Sequence, residues 1–235
     1  GAGEAWEALL QQLHGLGPVI PECGPPWWQD RRAELEQIAR EHGCAYVYDR
    51  ATLERTARQL QAISGVERVF YAIKANPHPD ILRSFAALGL AFECVSQGEC
   101  ERVIETIPGI DRQKILFTPN FAPRSEYEWA LEQGVHLTLD NLYPLRHWPE
   151  LFRGRALLVR LDTGFGRGHH DHVRTAGVHS KFGVPLFELD ELERLAAAAG
   201  VKIVGLHAHT GSGVFDVRNW HEVGQLLGSL AARFP

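Results

Sequence analysis

The feature that most constrains the fold is a regular alternation of strand patterns and helix patterns along most of the chain. Because helix patterns separate the strand patterns, neighbouring strands are expected to run parallel and to be joined by right-handed crossovers. The predicted strands are Val69–Ala75, Ala91–Val95, Ile115–Thr118, His136–Asp140, Ala156–Leu161 and Ile203–His209. The predicted helices are Pro79–Leu88, Gly98–Thr106, Ser125–Glu132, Glu188–Ala199 and Asn219–Phe234.

A parallel sheet of this kind can close into a barrel or remain open and doubly wound. No glycine-rich dinucleotide fingerprint follows any of the predicted strands, which favours the barrel. A complete (β/α)8 barrel has eight strands in roughly 250 residues, whereas this sequence of 235 residues displays six. We therefore predict an α/β fold of the TIM-type barrel class, truncated after about six strands.

The chain divides into two parts, residues 1–26 and residues 27–235. The first part combines a short amphipathic helix pattern over Ala5–His14 with a linker rich in glycine and proline over Gly15–Pro26. The second part is the partial barrel. Its entry is predicted to contain a helix over Trp27–His42, a strand over Cys44–Asp49 and a helix over Arg50–Ser64 that Asp49 caps.

Composition excludes several classes of function. The net charge is −5 and no basic block is present, so the sequence predicts no nucleic-acid partner. No apolar run approaches the roughly 18 residues of a membrane span, and the N-terminus lacks the pattern of a secretory signal. The four cysteines form no close metal-ligand pair, which indicates a reduced, cytoplasmic setting. Because the sequence begins with glycine and contains no methionine, it reads as a piece of a longer protein.

Lys74 is the most informative single residue, because it lies in an otherwise apolar strand pattern. An ammonium in such a place is expected to be paired or chemically used. A lysine that loses its proton can attack a carbonyl, which is how a Schiff base with an aldehyde cofactor begins. Strand alternation places Phe70, Ala72 and Lys74 on one face, where the small Ala72 leaves room. The alternative is a lysine at a strand mouth that reaches water.

Other polar residues fall repeatedly at the predicted carboxyl ends of strands, where barrel enzymes place their catalytic groups. One of these segments, His209–Gly213, leaves a strand through two glycines and offers backbone N–H groups and a hydroxyl, as phosphate-binding turns do. Taken alone, it could equally be a plain strand-to-helix turn. The residues at the other strand ends are Glu93, Ser96, Glu99, Asp140, Arg160, Asp162 and His207.

A long connection runs from Arg160 to Gly183 and is rich in glycine and histidine. Long ordered loops in compact domains are often functional. The histidines raise the alternative of a metal site, but they lack the helical His-x-x-x-His spacing and a nearby thiolate, so we predict a polar active-site loop and no metal. The histidines concerned are His169, His170, His172 and His179.

Three motifs resemble those of the fold-type III pyridoxal-phosphate decarboxylases. They are YAIKAN at 71–76, FECVSQGE at 92–99 and GLHAHTGSG at 205–213. Within that family they are most similar to the diaminopimelate decarboxylases. The entry over residues 26–49 looks like the decarboxylase half of proteins fused to an aspartate kinase. The resemblance covers residues 27–235 and implies a barrel of the alanine racemase-like class.

The resemblance also implies roles for individual residues around pyridoxal 5'-phosphate. Lys74 would carry the cofactor covalently, and His209 would stack on its ring. Ser212 would bind the phosphate with the turn backbone at Gly211 and Gly213. Arg160 and Glu99 would line the cofactor pocket. Glu93 stands where relatives often carry aspartate.

By resemblance, the intact protein would be a homodimer that decarboxylates meso-diaminopimelate to lysine. A C-terminal β-domain and the remaining cofactor contacts would follow Pro235. The alternatives are decarboxylation of arginine or ornithine, or a non-catalytic pyridoxal-phosphate-binding relative. A further alternative is a cofactor-free barrel enzyme that uses Lys74 directly on a carbonyl substrate.

Overall fold

The computed structural model describes residues 26–164, 181–212, 214 and 217–234. Within them, every strand pairing is parallel, and the first six strands lie side by side in chain order. The predicted parallel sheet is thereby confirmed. The strands are β1 (Phe70–Ala72), β2 (Ala91–Cys94), β3 (Ile115–Phe117), β4 (His136–Leu139), β5 (Ala156–Asp162), β6 (Val184–Pro185) and β7 (Lys202–His207).

Strand β5 is paired on one side with β4 and on the other side with both β7 and β6. The first part of β5 pairs with β7, and its carboxyl end pairs with β6 through Leu161 and Val184. The sequence predicted six strands in this region and missed β6, because two residues are too few to give a recognisable pattern.

A β-bulge interrupts the pairing between β5 and β7. Leu157 pairs with Ile203, whereas Leu158 pairs with Gly205, so one extra residue stands in β7 at Val204. Beyond the bulge, Arg160 is the partner of His207. The bulge therefore sets which residues of the two strands lie side by side at their carboxyl ends.

Helices follow most strands, as the alternation predicts, and their ends carry recognisable caps. Asp49 accepts a hydrogen bond of 2.7 Å from the Thr52 N–H, as predicted. Gly134 closes its helix in the left-handed conformation with φ of 70°. The helices are α1 (Arg32–His42), α2 (Arg50–Gln61), α3 (Pro79–Ala87), α4 (Gln97–Thr106), α5 (Arg124–Gln133), α6 (Tyr143–His147), α7 (Leu189–Ala199) and α8 (Val217–Ala231).

Apolar side chains from the strands and from the inner faces of the helices form one continuous core. Phe92 and Phe117 are completely buried on adjacent strands. Tyr127 of α5 packs edge-on against Phe152, with ring centroids 6.0 Å apart. Such burial supplies the main favourable free energy of folding and fixes the strand ends relative to one another. None of the helices in the described part of the chain is long and apolar enough to cross a membrane.

The entry to the barrel differs from the prediction. The predicted helix over Trp27–His42 begins only at Arg32, and no residue within α1 is buried. The predicted strand over Cys44–Asp49 is wrong, because this segment pairs with no other strand in the described residues, and Tyr46 is 94% exposed. The predicted helix over Ala5–His14, and the predicted linker apart from Pro26, lie outside the described residues.

Candidate active site

A cavity of about 510 Å³ opens at the carboxyl ends of the strands. This volume is within the usual range for sites that bind small molecules. Three of its residues come from the β1 segment, as the alternation predicts, and the others come from the ends of β2, β3, β5 and β7 and from the entry to β6. The lining residues are Phe70, Ala72, Lys74, Glu93, Val95, Leu116, Thr118, Asn120, Arg160, Phe182, His207 and His209.

Lys74 lies at the mouth of this cavity. Strand β1 ends at Ala72, and a short 3-10 turn over Ile73–Ala75 follows it, so the predicted strand through Ala75 is wrong. The turn buries Ile73 completely and leaves Lys74 exposed, whereas the sequence placed Lys74 inside a buried strand. The amine still faces the cavity, where an incoming carbonyl compound can reach it.

Glu93 faces the same cavity from β2. Burial raises the pKa of its carboxyl group, and the charge of Lys74 opposes that effect. The two side chains are therefore close enough to interact electrostatically.

Arg160 is held in the cavity wall by two oxygen atoms. Its Nη1 donates to Asp140 Oδ1 and to Asn120 Oδ1, each at 3.0 Å. Its guanidinium carbon lies 4.9 Å from the ring centroid of Phe182. Only 8% of the Arg160 side chain is exposed, so its charge is carried in a largely dry environment.

His207 and His209 line the cavity from the end of β7 and the residues after it. The predicted strand through His209 is too long, because β7 ends at His207. Burial and the charge of Arg160 lower the pKa of His207 from the ordinary 6.5 to about 4. Burial and the charge of Lys74 also lower the pKa of His209. The His207 Nδ1 atom is buried and has no hydrogen-bond partner among the described residues.

The lowered pKa of His207 predicts a loss of stability in weak acid. Between about pH 6.5 and pH 4 the unfolded chain binds a proton that the folded protein does not, so stability falls as the pH falls through that window. We expect the loss between pH 6.5 and pH 5 to be about 1.5 kcal/mol larger in the wild type than in His207→Gln. Urea unfolding of the full-length protein at the two pH values measures it.

The exposed His42 provides the matched control for this experiment. The same measurement on His42→Gln shows how much of any change comes from a histidine-to-glutamine substitution as such. Equal pH dependence in the wild type and His207→Gln would contradict the assignment of a neutral, half-buried imidazole at position 207.

The turn after His209 is only partly described. Gly211 has φ of 118°, a conformation that favours glycine, and Ser212 is exposed. Gly213 lies outside the described residues, and neither Gly211 nor Ser212 is in the cavity wall. The phosphate-binding role of this turn stays a prediction.

Glu99 caps helix α4. Its Oε2 accepts a hydrogen bond of 2.8 Å from the Val95 N–H, while Ser96 Oγ accepts one of 3.3 Å from the Glu99 N–H. This reciprocal arrangement closely resembles a capping box. The wall of the cavity does not include Glu99, so its predicted contact with the cofactor stays a prediction.

Glu99→Gln separates the two roles of this side chain. Glutamine retains the acceptor oxygen that a capping box requires, so we expect stability to change by less than about 0.5 kcal/mol. We also expect cofactor affinity to remain within about twofold, because the lost charge does not face the cavity. Glu99→Ala, the comparison variant, should cost about 1 kcal/mol. A large loss of cofactor affinity in a stable Glu99→Gln protein would instead support a direct contact with the cofactor.

Sequence reasoning gave no site role to five residues of the wall, which are Val95, Leu116, Thr118, Asn120 and Phe182. Asn120 follows β3, the strand end for which the sequence analysis named no polar residue. Phe182 belongs to the Ser-Lys-Phe-Gly end of the long connection, but nothing in the sequence distinguishes a wall residue from a core residue there. The loop histidines lie outside the described residues, and the described part of the chain contains no cluster of three potential metal ligands.

These residues fit a flat, phosphorylated aldehyde cofactor. Lys74 supplies an accessible amine, and His209 an uncharged ring that can stack on a heteroaromatic plane. The unpartnered Nδ1 of His207 leaves a buried polar atom available to a ligand. Fold and site together define a pyridoxal-phosphate-binding barrel domain.

Residues 30–227 match the family described as the pyridoxal-dependent decarboxylases, pyridoxal binding domain, and the chain belongs to this family. A diaminopimelate decarboxylase of Methanothermobacter thermautotrophicus is 34% identical over 207 residues, covering 86% of this chain and 48% of the relative. A chloroplastic ornithine decarboxylase of Nicotiana glauca is 31% identical over 239 residues, covering 99% of this chain and 51% of the relative. The chain spans about half the length of the curated relatives it matches.

The fold is also similar to those of solved decarboxylases. A diaminopimelate decarboxylase variant of Helicobacter pylori, in complex with L-lysine, superposes with a TM-score of 0.74 at 25% identity, covering 85% of this chain and 52% of that one. Another diaminopimelate decarboxylase structure gives a TM-score of 0.67 at 28% identity, and the match covers 82% of this chain and 48% of that one. The predicted class of barrel is confirmed by these similarities.

Proposed function

We propose that the full-length protein containing this chain decarboxylates meso-diaminopimelate to lysine with pyridoxal phosphate as its cofactor. The observation that carries the proposal is that Lys74, Arg160 and His209 surround one cavity in a chain of this family. Several curated relatives of about 30 to 34% identity are diaminopimelate decarboxylases, which supports the choice of substrate.

When bound, pyridoxal phosphate supplies an aldehyde that captures amines and a ring that accepts the electrons released with carbon dioxide. The residues of this chain bind and orient. We assign Lys74 Nζ as the amine that holds the cofactor until the substrate amine replaces it. We assign His209 to the face of the cofactor ring. An uncharged imidazole can stack there without repelling a positively charged ring. Ser212, Gly211 and Gly213 would hold the phosphate.

Two further groups complete the proposed chemistry on this side of the site. Arg160 places a fixed positive charge in the wall, where it favours an anionic group on the ligand. Glu93 and Lys74 face the cavity together, and the charge of Lys74 opposes the rise in the pKa of the Glu93 carboxyl group that burial causes. After the substrate displaces Lys74, its Nζ is free to carry a proton at the cavity mouth.

Ornithine is the second candidate substrate, because two ornithine decarboxylases also match this chain. The cavity wall does not separate the two substrates, since the described residues provide no group assigned to the far end of either molecule. A substrate panel therefore decides between them.

The experiment measures carbon dioxide released by the purified full-length protein from meso-diaminopimelate, L-ornithine, L-arginine and L-lysine. We expect kcat/KM for diaminopimelate to exceed each of the others by at least about a hundredfold, because a buried polar site rejects substrates that leave its groups unpaired. A preference for ornithine or arginine would replace the proposed substrate. Bound cofactor without release from any of the four would favour a non-catalytic relative.

We also propose that the full-length protein is a homodimer and that an aspartate kinase half precedes residue 1. Light scattering of the full-length protein tests the first proposal by its mass in solution. The open reading frame upstream of residue 1 tests the second.

A further inference from the structure

Asp140 is a buried acidic residue to which no role has so far been given. It follows β4 directly, and none of its side chain is exposed. It does not line the cavity, although its neighbour Arg160 does. A completely buried carboxylate is costly unless other groups compensate its charge.

Arg160 supplies the hydrogen bond that compensates it. Arg160 Nη1, on β5, donates to Asp140 Oδ1 at 3.0 Å, whereas Asp140 Oδ2 is buried and has no hydrogen-bond partner among the described residues. Burial raises the pKa of the Asp140 carboxyl group, and the charge of Arg160 and the backbone N–H of Gly183 oppose that rise. Asp140 therefore holds a residue of the cavity wall without reaching the cavity itself.

Arg160 and Phe182 pack against each other in the cavity wall. The Arg160 guanidinium lies beneath the ring of Phe182, 4.9 Å from its centroid, and Phe182 immediately precedes Gly183. Asn120 Oδ1 supplies a second, uncharged acceptor to the same Nη1 atom at 3.0 Å. Without Asp140 the guanidinium would be free to turn towards Glu93, which faces the same cavity.

We propose that Asp140 is a positioning residue that fixes the Arg160 charge in the wall of the cofactor cavity. Asp140 acts through Arg160 and does not touch the ligand. The proposal rests on the proposed function, because it assumes that pyridoxal phosphate occupies this cavity.

Asp140→Asn in the full-length protein tests the proposal. Asparagine has the same shape but no charge, so it leaves the buried Arg160 guanidinium without the carboxylate that compensates it. We expect the apparent Kd for pyridoxal phosphate, measured by its absorbance on titration, to rise about tenfold. The circular dichroism of the bound cofactor should also change, because a displaced wall alters its asymmetric surroundings.

The matched control is Asp111→Asn, the same chemical change at an exposed helix cap ahead of β3. Asparagine is an equally good cap, so cofactor affinity and the dichroism should stay at wild-type values. If Asp140→Asn behaves like Asp111→Asn in both measurements, the proposal is overturned.

A double-mutant cycle with Arg160→Gln separates positioning from general destabilisation. If Asp140 acts through Arg160, the double variant should lose no more than about twofold in affinity beyond Arg160→Gln alone. Fully additive losses would overturn the proposal. A wild-type protein that does not bind pyridoxal phosphate would instead refute the proposed function.

Asp140→Glu keeps the test decisive if Asp140→Asn does not fold. Glutamate retains the charge but displaces it by one methylene group. We expect about a threefold loss of cofactor affinity, because the longer side chain moves the carboxylate and with it the Arg160 guanidinium. Unchanged affinity and unchanged dichroism in folded Asp140→Glu would show that position is immaterial and would overturn the proposal.

Discussion

Replacing Lys74 with alanine in the full-length protein is expected to abolish the visible absorbance of covalently held pyridoxal phosphate. It should also lower kcat for decarboxylation by at least about 10³-fold. The reason is chemical, since no other lysine lines the cavity within the described residues. Lys74 is exposed at the cavity mouth, so its removal should leave the core intact. Absorbance spectra and carbon dioxide release measure the two effects.

Lys202→Ala provides the control for that prediction. Lys202 is an exposed lysine at the first position of β7, at the end opposite the cavity. Its replacement should leave both the absorbance and the rate unchanged. Absorbance that survives in Lys74→Ala and can be reduced by borohydride would show that another amine holds the cofactor.

Gly183→Ala is expected to destabilise the protein by about 4 kcal/mol. Gly183 has φ of 84°, which already strains a residue with a side chain. An added Cβ would also lie 2.6 Å from the backbone nitrogen of Asp162 and 2.7 Å from the carbonyl carbon of Leu161. Because these are backbone atoms of β5, relief requires β5 and β6 to move apart.

Gly134→Ala isolates the conformational part of this cost. Gly134 has φ of 70°, and an added Cβ there meets no atom within 4 Å. We expect about 1 kcal/mol from the strained conformation alone. The urea midpoints of the two variants give the comparison. If they are equally stable, the close approach of the backbone at Gly183 does not contribute.

The sequence was sufficient to predict the general plan of the sheet, because the alternation of strand and helix patterns extends along most of the chain. Six runs of strand character separated by helix patterns predict parallel order whatever the details of packing. The grouping of Phe70, Ala72 and Lys74 also followed from simple alternation, even though the strand stops at Ala72. The turn after β1 still leaves Lys74 at the cavity, so the predicted face was right although the predicted strand was too long.

Other features depend on contacts that no local pattern encodes. Segment Cys44–Asp49 has strand propensity, but a strand forms only where a partner backbone is available. Asn120 and Phe182 reach the cavity because the end of β3 and the entry to β6 lie beside it, which is a property of the assembled sheet. Glu99 shows why the role of a residue is hard to predict from sequence. A glutamate just after a strand can cap the next helix or contact a cofactor, and the sequence pattern is the same in both cases.

The extra residue at Val204 makes the register of β7 more critical than its composition. If β7 paired with β5 without a bulge from Ile203 onwards, Leu206, in place of His207, would lie beside Arg160. Deleting Val204 would leave His207 beside Arg160, because Gly205 and the residues after it already pair in that register. A one-residue deletion after the bulge, such as that of Leu206, would bring Ala208 beside Arg160 and turn His207 to the opposite face of the sheet. Point substitutions along this strand can therefore be absorbed one at a time, whereas a single-codon deletion beyond the bulge would dismantle one side of the pocket.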